Sequence, residues 1–72
     1  MEKLDEKAIR ELSAILAERG VDYHTGRNIS LMVRRVTRKM IDWLEKNPEA
    51  TVAEMTRKAL ELNKIRDTEE IL

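Results

Sequence analysis

The sequence predicts an all-α fold: a small bundle of three main helices and a short fourth helix at the C-terminus. Three observations carry this prediction. Apolar residues, 42% of the chain, recur at the three- and four-residue spacing of a helix and not in the alternation of a strand. Charged residues make up 39%, and among them Glu, Lys and Arg are good helix formers. Stop and start signals for helices fall at Gly20, at Asn47–Pro48 and at Thr51.

The 72 residues make one helical domain at most, or a piece of a longer protein. A chain this short buries only about 60% of the surface its unfolded form exposes. It has no cysteine, so neither disulfides nor a thiolate zinc site can compensate. Either the helices pack very well, or dimerisation completes the core.

The first helix is predicted over about residues 4–19. Leu4, Ala8, Leu12, Ile15 and Leu16 share an arc, with Ile9 at its edge. Asp5 and Glu6 in the first turn and Arg19 in the last suit the helix dipole. Gly20 is placed to end the helix in a left-handed conformation. The stretch "VDYHTGRN", residues 21–28, then reads as a loop, with Thr25 or Asn28 as the next cap.

The second helix is predicted over about residues 29–46. Ile29, Met32, Val33, Val36, Met40, Trp43 and Leu44 span an arc of roughly 120°, the widest apolar stripe in the chain. Pro48 disfavours a helical Asn47 and so ends the helix. The third helix, about residues 52–62, opens with Thr51 and Glu54 in capping-box spacing and continues through Val52, Met55, Ala59 and Leu62. A second capping box, Asp67 and Glu70, predicts the short fourth helix over residues 68–72.

Fourteen basic and fourteen acidic residues cancel, so the whole chain exerts no long-range pull on nucleic acid or an anionic membrane. The cancellation hides a local excess. Between residues 27 and 40 lie Arg27, Arg34, Arg35, Arg38 and Lys39, and no acid. They sit opposite the apolar stripe and too far from the helix end to be matching its dipole. Such a face suits phosphate contacts, which need positive charge and little geometry. These five are the candidate nucleic-acid-binding residues.

Met32, Val36, Met40 and Trp43 are the candidate protein interface, because Met adapts to irregular helix contacts and the stripe is wide. Catalysis has no candidate. His24 is the single histidine and stands beside Asp22, Tyr23 and Thr25, too few groups for a metal and poorly spaced for a nucleophile and base. The Tyr23 ring is expected to cap the core and Gly26 to make a turn. No apolar run is long enough for a leader or a membrane span, which gives a cytoplasmic reading.

The stretch "MIDWLEKNPEATVAEMTRKALELNKIRDTEEIL", residues 40–72, resembles the opening half of helix-turn-helix and winged-helix domains. The resemblance implies DNA binding, with residues from Asp67 onwards as the recognition helix. Asp67, Glu69 and Glu70 would then face phosphates, where such helices carry Arg, Lys, Asn, Gln or Ser. "LDEKAIRELSAILAERG", residues 4–20, resembles the first helix of the all-helical chorismate mutases, which implies cations converging inside a bundle. Here Arg34, Arg35 and Arg38 are expected to face outward. "ATVAEM", residues 50–55, resembles the last loop of histone-like folds, in which shorter helices flank a central one.

Together these features predict a non-enzymatic helical binding module without cofactor or metal. Its expected partner is nucleic acid, DNA first, on the basic face of the second helix. One alternative is a protein-interaction or homodimerisation domain working through the apolar, Met-rich surface. Another is a designed or engineered bundle without a natural ligand, against which the irregular eight-residue loop argues.

Overall fold

The computed structural model describes the backbone of residues 4–71 and the side chains of residues 4–64. Those residues form four helices: α1 (Glu6–Glu18), α2 (Tyr23–Met32), α3 (Thr37–Lys46) and α4 (Val52–Ile71). There is no strand among the described residues. The all-α prediction holds, but three of the predicted boundaries do not.

α1 starts where the Asp5 carboxylate accepts from the Ala8 amide at 3.0 Å, and its buried face is Ala8, Leu12 and Leu16. Leu4, expected on that face, precedes the helix and is 42% exposed. The helix ends as predicted at Gly20, whose φ of +78° only glycine adopts without strain. The Gly20 amide donates to the Ala17 carbonyl and the Val21 amide to the Leu16 carbonyl, the two bonds of a Schellman motif. The accompanying apolar pair, Leu16 and Val21, is buried.

The expected loop over residues 21–28 is instead mostly helix. Asp22 caps α2: its carboxylate accepts from the Thr25 amide at 3.1 Å and from the Thr25 hydroxyl at 2.6 Å. Tyr23 is 77% exposed and does not cap the core. Gly26 makes no turn; it lies within α2, against the side chains of Leu16 and Val21. The eight-residue loop that argued against an idealised design is therefore not present.

The predicted single helix over residues 29–46 is two helices, α2 and α3, separated by Val33–Val36. Thr37 accounts for the break. Its hydroxyl donates to the Val33 carbonyl at 2.9 Å and to the Arg34 carbonyl at 3.2 Å. A continuous helix would give those acceptors to the amides of residues 37 and 38, so the side chain competes with the ladder. β-Branched Val33, Val36 and Thr37 add little helix propensity to resist this. The long central helix of a histone-like arrangement is thus absent.

α3 ends at Asn47 before Pro48, as expected, with the Asn47 side chain donating to the Trp43 carbonyl at 2.8 Å. α4 opens with the predicted capping box. The Glu54 amide donates to the Thr51 hydroxyl at 3.2 Å, and the Thr51 amide donates to the Glu54 carboxylate at 2.9 Å. The helix then runs on past Asn63 to Ile71 without a second start. The separate fourth helix over 68–72 is therefore not formed; Leu72 and the side chains of the second capping box lie outside the described residues.

α1 and α4 each pack against both α2 and α3. Between them Leu12, Leu16, Ile29, Val33, Met40, Leu44 and Met55 are fully buried, each removing enough apolar surface from water to contribute roughly 1.5–3 kcal/mol. One polar strut crosses this core. The Arg19 guanidinium, at the end of α1, donates to the Leu44 carbonyl at 2.7 Å and the Asn47 carbonyl at 3.0 Å. A cation is thereby placed on the negative end of α3.

Candidate nucleic-acid interface

The break between α2 and α3 rearranges the basic face. Arg27 lies on α2, Arg34 and Arg35 lie in the Val33–Val36 connection, and Arg38 and Lys39 lie in the first turn of α3. All five side chains are exposed. Arg34, Arg35, Arg38 and Lys39 line one shallow groove of ≈ 310 Å³ with Leu4, Asp5, Val36 and Thr37. Four of the five predicted cations therefore share the rim of one groove.

Their electrostatic partners differ. Arg38 donates to Asp5 at 3.0 Å and to Glu11 at 3.3 Å, both on the α1 side. These groups are about half exposed, so the pairs are screened and weak. Arg34 donates to the Leu31 carbonyl at 3.2 Å, which orients it without neutralising it. Arg27, Arg34, Arg35 and Lys39 have no carboxylate partner among the described residues. The α3 N-terminus beneath them has Val36 at its cap and no side-chain acceptor. The Lys39 amide donates to the Val36 carbonyl at 3.0 Å, and the positive end of the α3 dipole adds to the same groove.

Three carboxylates are held below their ordinary values, and each accepts hydrogen bonds at a helix start. For Asp5 the main cause is the Ala8 amide, with Arg38 adding to it. For Asp22 it is the Thr25 hydroxyl and then the Thr25 amide. For Glu54 it is the Thr51 amide.

The candidate protein interface is placed differently from the expectation. Met40 is fully buried, and Met32, Val36 and Trp43 are partly buried against the core. The wide stripe is consumed because α1 and α4 cover it from two sides. A partner could reach Met40 only by opening the bundle. Among the described residues, the exposed large apolar side chains are others: Leu4, Tyr23, Leu31, Val52 and Leu60. Sequence periodicity missed Tyr23 because it was read as part of a loop, and Leu31 because it lies off the apolar arc of the predicted 29–46 helix.

The helix-turn-helix reading loses its recognition helix, since residues 67–71 continue α4. The side chains of Asp67, Glu69 and Glu70 lie outside the described residues. Arg34, Arg35 and Arg38 face outward and do not converge inside the bundle as the chorismate mutase resemblance implies. In the Asp22–Thr25 stretch the carboxylate is engaged with Thr25. His24 meets the Tyr23 ring edge-on at 5.8 Å. No group of three or more metal-ligating side chains occurs among the described residues. Among the described residues, no helix is long and apolar enough to cross a membrane. Compared with protein-family models, with curated proteins and with solved structures, the chain matches none of them.

Proposed function

We propose that this chain is a non-enzymatic, cytoplasmic binding module that engages nucleic acid, duplex DNA in the first instance, through the cations of the α2–α3 connection. The observation that carries this reading is the set Arg27, Arg34, Arg35 and Lys39, four exposed cations without a carboxylate partner among the described residues. Other exposed cations, such as Arg10 and Lys46, also lack an ion pair among the described residues; these four are set apart by lying on a stretch, residues 27–40, that carries no acid. Here the acids of α1 reach only Arg38. Three of these unpaired cations border the uncapped start of α3, where backbone amides add donors for phosphate oxygens. Such contacts fix position and carry little base readout, so binding is expected to be strongly salt-dependent and weakly sequence-dependent. The two aromatic residues, Tyr23 and Trp43, give no stacking platform for single strands.

The test is the anisotropy of a labelled, mixed-sequence DNA duplex titrated with protein across a salt series. About four phosphate contacts give a log–log slope of roughly −3 to −4. The variant Arg35→Glu with Lys39→Glu touches no ion pair, so it should keep the parent's helicity and lose at least about tenfold in affinity. Equal binding by parent and double variant would reject the proposal. So would binding that does not weaken as salt is raised.

A further inference from the structure

A second, larger groove of ≈ 400 Å³ lies between α1 and α2. Its walls are apolar: Ile9, Leu16 and Ala17 on one side, Tyr23 and Leu31 on the other, with Leu4 at one end. Three of the five exposed large apolar side chains among the described residues are collected here. Each wall, from Ile9 to Ala17 and from Tyr23 to Leu31, covers eight helical steps, or about 12 Å. That length matches two to three turns of a helix laid into the trough, whose anchors would recur at i, i+3 or i+4, and i+7.

The rim selects the charge of the occupant. Arg27 and Arg34, seven residues apart, border the groove and have no carboxylate partner among the described residues. The single acid in the lining, Asp22, is committed to capping α2. A second copy of the chain, related by a twofold axis, would set this face against itself and bring like charges together. We infer that the α1–α2 groove docks an amphipathic helix of a partner protein, with an apolar stripe between the walls that Leu4, Tyr23 and Leu31 help to form and carboxylates opposite Arg27 and Arg34. Arg27 and Arg34 are shared with the proposed nucleic-acid surface, but Arg35 and Lys39 do not line the groove, so the two readings can be tested apart.

The probe is a synthetic helical peptide of about four turns with leucines at i, i+4 and i+7 and glutamates on both flanks, titrated into labelled protein at moderate salt. A companion peptide carries lysines in place of the glutamates. Saturable amide shifts on Ile9, Ser13, Ala17, Tyr23 and Leu31 with the glutamate peptide are expected. Leu31→Glu, at a 47% exposed position, should keep the fold and cost about tenfold or more in affinity. Arg27→Glu with Arg34→Glu should weaken the glutamate peptide and strengthen the lysine peptide, a reversal that a merely structural role would not produce. Arg35→Glu with Lys39→Glu should leave peptide affinity within about threefold, whatever it does to DNA binding. The inference is overturned if the parent binds both peptides equally, or if the shifts fall elsewhere. It is also overturned if the protein alone shows concentration-dependent shifts on these residues, which would assign the groove to a second copy.

Discussion

The two short connections on either side of α2 solve the same problem in opposite ways. Between α1 and α2, every device closes inward. Gly20 reverses the chain, Val21 and Leu16 pack beneath it, Asp22 caps the next helix, and Arg19 crosses to the end of α3. Between α2 and α3, the Thr37 hydroxyl breaks the ladder, but no side chain caps the helix that follows, and two arginines point to solvent. The first connection spends its polar groups on the fold, and the second leaves them available. The proposed binding surface thus lies where local satisfaction is incomplete.

The largest effect should come from breaking the closed connection. Arg19→Ala removes two charge-assisted bonds to the partly buried end of α3, leaving the Leu44 and Asn47 carbonyls with one backbone donor each, the amides of Asn47 and Ala50. A loss of about 2 kcal/mol is expected, or roughly 8–16 °C in melting temperature for a domain of this size. Arg19→Lys should recover only part of it, because an ammonium lacks the planar, pre-organised donor pair of a guanidinium. A variant melting with the parent would show that the strut contributes no net stability.

Next come the two glycines, which have opposite roles. At Gly20 the φ of +78° strains any other L-residue, so Gly20→Ala should cost about 1–2 kcal/mol, although a Cβ there meets nothing within 4 Å. At Gly26 the backbone is helical, and a Cβ would lie 3.8 Å from Val21 Cγ1 and 3.9 Å from Leu16 Cδ1, ordinary contact distances. Gly26→Ala should therefore stabilise by about 0.5–1 kcal/mol through helix propensity. Thermal melts of the two variants should move in opposite directions. Two shifts of the same sign would contradict the assignment of one glycine to a turn and the other to a helix.

These glycines also mark what the sequence discloses and what it conceals. Gly20 announced itself, because a glycine after an apolar-periodic run has one common use. Gly26 misled, because "DYHTGRN" has poor helix propensity throughout, and tertiary packing against Leu16 and Val21 outweighed it. The break at Val33–Val36 was hidden for a different reason. The four-residue connection keeps roughly the phase of a helix, so Ile29, Val33, Met40 and Leu44 still read as one stripe. Periodicity reports which side chains are buried; it does not report whether the ladder between them is intact. The basic face was legible because five cations without an acid between them need no fold to be noticed. The neutralisation of Arg38 was not, since Asp5 and Glu11 lie 33 and 27 residues away and meet it only once α1 packs on α3.

Acid should separate the helix starts. Asp5, Asp22 and Glu54 have folded values below the ordinary 3.8, 3.8 and 4.5, because each charged form accepts hydrogen bonds in the folded state. A lowered folded value contributes stability that is complete above the ordinary value and is lost as pH falls through the folded one. Acidification through this range should loosen the first turns of α1, α2 and α4, while α3, which has no carboxylate cap, is unaffected at its start. Amide exchange, corrected for intrinsic rates, should increase for residues 6–8, 23–25 and 52–54 and not for residues 37–39. Uniform loosening of all four starts would mean that global unfolding, not cap protonation, sets the acid limit.

The smallest effect bears most directly on why one cation of the cluster differs from its neighbours. Glu11→Gln removes one of the two carboxylates that hold Arg38 and leaves Asp5 in place. The pair is exposed, so the stability change should stay within about 0.5 kcal/mol. Any repulsion between Glu11 and an approaching phosphate disappears with its charge, and Arg38 is freer to turn outward. DNA affinity at low salt should therefore rise by about two- to threefold, and the salt slope should steepen by up to about 0.9 as a further phosphate contact forms. If affinity rises while the slope is unchanged, Glu11 acted only through its field and Arg38 stays on Asp5. If neither changes, Arg38 is outside the contact surface, and the interface narrows to Arg27, Arg34, Arg35 and Lys39.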